Sequence, residues 1–248
     1  MIHAQHCDYL EVEVDRFARR FETTDDSISV PSCPGWNVHD LSEHLGTIHR
    51  WAEHLVRVEA PKRVPYEEMG LELTPVNPDW LRRGGAALVA TLRASNPEAP
   101  MWAWGPDQHV RFWSRRQLHE TVVHRVDLEL AAGTAAFVEP EVASDAIDEF
   151  LVNLNGAGYF SPKVKAIRGR NQSLRVATTD IEGSWTIDIG DDGFLVTRDQ
   201  HAADAELSGS AQDLLLVLYR RRTLEGGGVA VSGDDTLIDF WLANCALE

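Results

Sequence analysis

The spacing of apolar residues divides the chain into a helical first part and a mixed second part. Up to residue 155, apolar positions recur every three or four residues, which is typical of helices that bury one face. Beyond Gly156 the apolar period falls to two, which predicts strands joined by polar turns. The first part is predicted to form helices over 5–22, from about Val38, and over 79–94, 115–132 and 140–155.

The second part has the pattern of a small, separate α/β domain. Two predicted helices, over 211–221 and 234–247, follow or separate its strands. The strands are predicted over 174–178, 185–189, 194–197, 205–209 and 229–232. We therefore expect an α+β chain with two domains, a helical bundle over 1–155 and an α/β domain over 156–248.

Composition excludes several classes of function. The chain of 248 residues carries 39 acidic and 23 basic residues, and its net charge of -16 argues against nucleic-acid binding. No apolar stretch reaches the roughly 18 residues that a membrane helix needs. The acidic N-terminus lacks a signal-peptide pattern, so we expect a cytoplasmic protein.

The cysteines indicate reduced thiols rather than a disulfide framework. There are three, Cys7, Cys33 and Cys245, and they are too few and too scattered for a cysteine-based zinc cluster. Cys33 alone lies close in sequence to the candidate site, where it is either a catalytic thiol or a small turn residue.

The most informative segment is the predicted helix over 115–132. Glu120 and His124 are spaced i, i+4, so both side chains can point at one metal ion. Asp127, one turn further on, is placed to hold the imidazole of a ligand histidine. His119 lies about 140° away from His124 around the helix, so it cannot belong to the same ligand set. Alternatively, this helix carries only scattered, solvated charges.

A second segment supplies a further histidine. Pro34 and Gly35 indicate a turn, and Asn37 is a plausible N-cap for the next helix. His44 falls in an apolar stripe, where its ring needs a polar partner or a metal. His49 lies about 140° from His44 and is poorly placed to share its ion. The stripe consists of Leu41, His44, Leu45, Ile48 and Leu55. A lone histidine there can also be an ordinary core residue.

An antiparallel bundle would bring these two helices side by side. His44, Glu120 and His124 then form a three-ligand set that leaves positions open for water or substrate, as catalytic metal sites do.

At these residues the chain resembles the mycothiol-dependent maleylpyruvate isomerase family. The resemblance rests on Pro34-Gly35-Trp36, on His44, and on Glu120 and His124 with Asp127 beyond them. It implies a DinB-like metal-binding four-helix bundle and a second domain with a sterol-carrier-like fold. It implies one divalent metal, usually zinc, at His44, Glu120 and His124, with mycothiol at the open position. It also implies an arginine of the second domain that holds the anionic thiol or substrate; Arg221 is the best match and Arg222 the next, although both could instead be arginines of a solvated helix end.

We therefore expect an enzyme that isomerises maleylpyruvate-like cis enedioates, by reversible addition of a metal-activated thiolate to the double bond. A small-molecule substrate and a low-molecular-weight thiol are its expected partners, and the chain is expected to be a monomer or a homodimer. Other readings stay open: a mycothiol S-transferase acting on another electrophile, a metal- or ligand-binding module without turnover, and a structural or regulatory protein in which the histidines are core residues.

Overall fold

A computed structural model describes residues 1–70, 75–199 and 201–246, and for Tyr159 the backbone alone. The chain divides into two compact units. The first unit consists of Met1–Ala103 and Asp107–Phe137, and the second of Trp104–Pro106 and Val138–Glu248. This division confirms the expected fold class, a helical region followed by a small mixed sheet.

The described residues of the first unit form a bundle of four α-helices. They are α1 (His3–Thr23), α2 (Val38–Arg57), α3 (Pro78–Ala94) and α4 (Val110–Ala131). α1 and α2 each pack against both α3 and α4. Their apolar faces form one core in which Leu10, Phe17, Leu41, Leu55, Leu88, Leu92 and Trp113 are fully buried. Within the described part of the chain, no helix is both long and apolar enough to cross a membrane.

Local sequence signals explain how α2 begins and how closely it packs. Asn37 caps the helix, because its side chain accepts a hydrogen bond from the backbone nitrogen of Asp40. Further along α2, Gly46 lies directly under the Trp80 ring of α3, where a Cβ would stand only 2.0 Å from a ring carbon. Glycine therefore allows the two helices to approach.

The second unit combines three α-helices with a five-stranded sheet among its described residues. The sheet order is β3-β2-β1-β4-β5, with β1 and β4 parallel and all other neighbours antiparallel. α5 packs against α6, and α7 packs against β1 and β4. The elements are α5 (Pro140–Asn153), β1 (Gln172–Thr178), β2 (Ser184–Ile189), β3 (Phe194–Thr197), β4 (Ala205–Gly209), α6 (Ala211–Leu218), β5 (Val229–Gly233) and α7 (Asp235–Asn244).

Three predicted helix ends differ from the structure by three residues or more. α4 begins at Val110 rather than Arg115, because Val110 and Trp113 are buried in the bundle core. α6 ends at Leu218 rather than at residue 221, because Arg220 has a φ of 60°, in the left-handed region that ends a helix. α7 ends at Asn244 with Cys245 as its C-cap, and its predicted end at Leu247 lies outside the described residues.

The units also divide earlier in the chain than the predicted boundary between residues 155 and 156. α5 belongs to the second unit, since its apolar face packs against α6. The helical period that suggested a fifth bundle helix is the same on either side of this division, so the period alone could not assign α5.

Candidate metal centre

The candidate centre lies between α2 and α4 in the first unit. His44 extends from α2, and Glu120 and His124 extend from α4. One ligand atom from each residue lies within 4.8 Å of the other two. The structure therefore brings the three predicted ligands together, including His44 and Glu120, which stand 76 positions apart in the sequence.

The donor atoms of these three residues, the triad, converge on one carboxylate oxygen. Glu120 Oε1 lies 3.3 Å from His44 Nε2 and 3.1 Å from His124 Nε2. The two imidazole rings stand at 84° to each other, with their centroids 5.0 Å apart. Two imidazole nitrogens and a carboxylate oxygen form a ligand set that zinc and similar divalent metals bind. The residues present thus fit a divalent metal with three protein ligands and an open position.

His124 is held from behind by Asp127, as the spacing predicted. Asp127 Oδ2 lies 2.9 Å from His124 Nδ1 and is fully buried. A carboxylate at this distance accepts a hydrogen bond from the Nδ1–H group, which leaves the lone pair of Nε2 directed at the triad. The same carboxylate accepts hydrogen bonds from the Ser32 hydroxyl at 2.5 Å and from the Cys33 thiol at 3.6 Å.

The charges of the triad residues depend on one another. Burial would raise the pKa of Glu120, but the charge of Arg116 and hydrogen bonds with both histidines hold that pKa well below its usual range. Burial would lower the pKa of His124, but hydrogen bonds with Asp127, Cys33 and Glu120 raise it well above its usual range. In the metal-free chain, the pocket therefore favours a carboxylate beside an imidazolium.

The Trp36 ring packs on one side of the centre, and Tyr66 packs against Trp51. The Trp36 ring lies 4.9 Å from the His44 ring and 6.5 Å from the His124 ring, between centroids. Tyr66 is half-buried, and burial together with the charge of Glu120 raises its pKa to about 12. Its hydroxyl therefore stays protonated at neutral pH and can donate a hydrogen bond.

The neighbouring histidines have other surroundings. His49, rather than His44, points into the bundle core: it is fully buried, and its Nε2 lies 2.9 Å from Thr121 Oγ1. The expectation that His44 faces the core is therefore wrong, because α2 is rotated so that His44 lies at the edge, with its side chain 32% exposed. His119 is also buried, and its ring contacts His6 instead of the triad.

The two arginines expected to bind an anion lie in the second unit. Arg222 is paired with Asp213, and Arg221 Nη1 donates a hydrogen bond to the Tyr219 carbonyl at 2.7 Å. The preceding Arg220 donates hydrogen bonds to the Leu242 and Ala243 carbonyls at the end of α7. Arg222 is thus committed to a carboxylate of its own unit.

Three contributors were not identified from the sequence. Arg116 pairs with Glu120 Oε2, and its position one turn before Glu120 could have indicated this contact. Trp36 was noted only as part of a turn, and its packing on His44 has no local signal. Ser32 reaches Asp127 across 95 positions, so no spacing rule could have found it.

Comparison with known proteins covers most of the chain. Residues 8–129 match a family model described as the mycothiol maleylpyruvate isomerase N-terminal domain, and residues 141–240 match the MDMPI C-terminal domain. Two crystal structures of the mycothiol-dependent maleylpyruvate isomerase, one of them a histidine-to-alanine mutant, each cover 94% of this chain and 95% of their own. Each has a TM-score of 0.57 and 15% sequence identity, a likeness of fold. No curated protein matches the chain by sequence.

Proposed function

Because the chain belongs to the mycothiol maleylpyruvate isomerase family, whose two domain models match it over 8–129 and 141–240, we propose that it is a thiol-dependent isomerase with a divalent metal. Its substrate is a maleylpyruvate-like cis enedioate, its thiol is mycothiol and its metal is zinc, held by His44, Glu120 and His124. The protein works in the cytoplasm.

The observation that carries this proposal is the convergence of three lone-pair donors on one point. Two imidazole nitrogens lie within 3.3 Å of the same carboxylate oxygen, and Asp127 braces one of the rings from behind. These three atoms can be satisfied together by protons on the imidazole nitrogens or by one shared metal ion. A braced histidine is typical of metal sites.

A metal bound at an open position would lower the pKa of a thiol and supply a thiolate near neutral pH. Such a thiolate would add reversibly to one carbon of the cis double bond, while the π electron pair of that double bond moves onto the adjacent carbonyl. Rotation about the remaining carbon–carbon single bond and departure of the thiolate would then leave the trans isomer, with no atom gained or lost.

The residues of this chain assist in distinct ways. Arg116 holds the outer oxygen of Glu120, which leaves Oε1 directed at the triad. Trp36 covers the two histidine rings and excludes water from their side of the centre. Tyr66, whose ring packs against Trp51 at 5.2 Å between centroids, keeps its proton at neutral pH. In the second unit, Arg221 is the arginine that we propose for binding an anionic group, with Arg222 as the alternative.

The decisive experiment combines metal analysis with an activity assay. Elemental mass spectrometry of the purified protein is expected to find about one zinc per chain, as three-ligand catalytic sites hold. The protein should convert maleylpyruvate to its trans isomer only with mycothiol present. The double variant His44→Ala, His124→Ala should lose both properties. A matched double variant, His39→Ala, His54→Ala, removes two histidines of α2 outside the triad and should retain them.

The outcomes separate the alternatives. Zinc without isomerisation, but with transfer of mycothiol to other electrophiles, would replace the isomerase with an S-transferase. Zinc with neither reaction would indicate a metal-binding module. Failure to retain zinc, even after zinc is added back, would contradict the metal-dependent proposal.

A further inference from the structure

Asp127 is a buried junction between α4 and the turn that precedes α2. Its side chain is fully buried, and both of its oxygens accept hydrogen bonds. Oδ1 accepts from the Ser32 hydroxyl at 2.5 Å, and Oδ2 accepts from His124 Nδ1 at 2.9 Å. Each oxygen of the carboxylate is therefore held by a hydrogen bond, one from the turn and the other from a triad histidine.

The same turn touches the other triad histidine by a different contact. Residues 31–36, the PGW turn, carry Ser32 at one end and Trp36 at the other, whose ring packs on His44 at 4.9 Å. The turn is closed by hydrogen bonds from Trp36 N to Cys33 O and from Val30 N to Trp36 O, at 3.0 and 2.9 Å. A displacement at Ser32 would therefore move Trp36 as well.

We propose that Ser32 and Asp127 are positioning residues that orient His124 for the metal and couple the PGW turn to the metal centre. This inference rests on the proposed function. Without the Ser32 hydroxyl, Asp127 can rotate about its last side-chain bond, and Oδ2 leaves the plane in which it accepts from Nδ1. His124 can then place its proton on Nε2, which removes the lone pair that a metal needs.

A second arrangement of the same residues competes with this one. Donor atoms of Cys33, His124 and Asp127 also lie within 4.8 Å of one another, so they could hold a thiophilic ion of their own. The hydrogen bonds favour the positioning role. Asp127 and His124 Nδ1 already satisfy each other, and an ion there would have to break that contact and the contact to Cys33.

The test removes one hydroxyl group and measures the affinity for zinc rather than the rate of catalysis. Ser32→Ala should weaken zinc binding by roughly ten- to a hundredfold, the effect typical of losing a group that supports a metal ligand. Ser32→Thr keeps a hydroxyl and should restore much of the affinity. Ser27→Ala is the matched control, because Ser27 donates to Asp25 in the same segment and touches no triad residue. Affinity is measured by competition with a chromophoric chelator, and Co²⁺ absorption reports the ligand geometry.

A second readout needs no metal. In the metal-free protein at alkaline pH, where the ring is neutral, ¹⁵N NMR should find the proton of His124 on Nδ1. In Ser32→Ala the proton should be distributed over both nitrogens. If the wild-type protein binds no zinc, the proposed function is wrong. The ¹⁵N spectrum of the metal-free protein would still test whether Ser32 and Asp127 orient His124.

Two results would overturn the inference. One is a zinc affinity in Ser32→Ala that stays within about twofold of wild type together with an unchanged His124 spectrum, since the hydroxyl would then be an incidental contact. The other is a second bound ion with a thiolate-to-metal absorption band that disappears in Cys33→Ser, because Cys33 and Asp127 would then be ligands themselves.

Discussion

Two ionic clusters lie side by side on α4, and they differ in the groups that face one another. The first is the triad, on the side facing α2. The second surrounds Arg125, the residue after His124, on the side facing α1. Arg125 donates to Glu13, to Glu129 at 2.7 Å and to the Phe137 carbonyl at 2.8 Å. Arg16 donates to the other oxygen of Glu13 at 2.8 Å.

The Arg125 cluster matches charges and hydrogen bonds within itself. Two guanidinium groups face two carboxylates, and their N–H donors meet carboxylate or carbonyl oxygens. In the triad, by contrast, donor atoms of two imidazoles and one carboxylate converge within 4.8 Å of one another, and Arg116 pairs with the outer oxygen of Glu120. We infer that a buried cluster of guanidinium groups matched to carboxylates specifies structure, whereas a cluster of converging imidazole and carboxylate donor atoms indicates a binding site.

The largest effect is expected from breaking the complete cluster. Arg125→Met leaves Glu13 buried beside Arg16 alone, and the loss of one partner of a buried pair costs about 3–5 kcal/mol. Urea unfolding should find this loss, while the zinc content of the folded protein stays unchanged. Arg19→Met removes an exposed ion pair with Asp15 on α1, the helix that carries Glu13, and should cost less than about 1 kcal/mol. Equal losses in the two variants would remove the distinction between the clusters.

The triad should respond in the reverse way. Zinc at a hundredfold excess over its dissociation constant should stabilise the wild-type protein by about 2.7 kcal/mol, because it binds the folded state. In His44→Ala this stabilisation should vanish, and the metal-free stability should change little because His44 lies at the edge of the core. His54→Ala, on the same helix but outside the triad, should keep the stabilisation. Zinc-dependent stabilisation that survives in His44→Ala would argue against the triad as the binding site.

A pH dependence sharpens the comparison through His49, a buried histidine beside the triad whose Nε2 lies 2.9 Å from the Thr121 hydroxyl. Burial lowers its pKa from 6.5 to about 3, so the unfolded chain binds a proton that the folded chain rejects. The stability that this group contributes is complete above pH 6.5 and is lost as the pH falls towards 3.

The expected slope is about 1.4 kcal/mol per pH unit between these limits. Urea unfolding at several pH values measures this slope. As the pH falls, the free energy of unfolding of His49→Leu should decrease less steeply than that of the wild type. His54→Leu, a half-exposed histidine of the same helix, should leave the slope unchanged. If the free energy of unfolding depends on pH in the same way in both variants and in the wild type, His49 does not titrate as its burial implies.

Much of the fold could be predicted because secondary structure follows local spacing. The five strands begin and end within two residues of their predicted bounds, and Asn37 caps α2 as expected. Gly133 ends α4 with a φ of 68°, the conformation that a glycine adopts most readily. Glu120, His124 and Asp127 could be assigned together because one helix fixes their relative directions.

Long-range contacts could not be predicted from the sequence, for a physical reason. Helical period reports which residues share a face, but not which neighbour that face meets or how far the helix is rotated. His44 and His49 both lie on plausible faces of α2, and only packing against α4 decided that His49 is buried while His44 reaches Glu120.

The sequence by itself determined the order of elements, the two-part architecture and the pair of candidate ligands on α4, because each depends on residues within one or two turns of each other. Tertiary structure alone decided that α5 joins the second unit, that Arg116 holds Glu120, and that Ser32 reaches Asp127. These contacts arise where apolar faces pack, and packing joins residues that are distant in the sequence without leaving a local pattern.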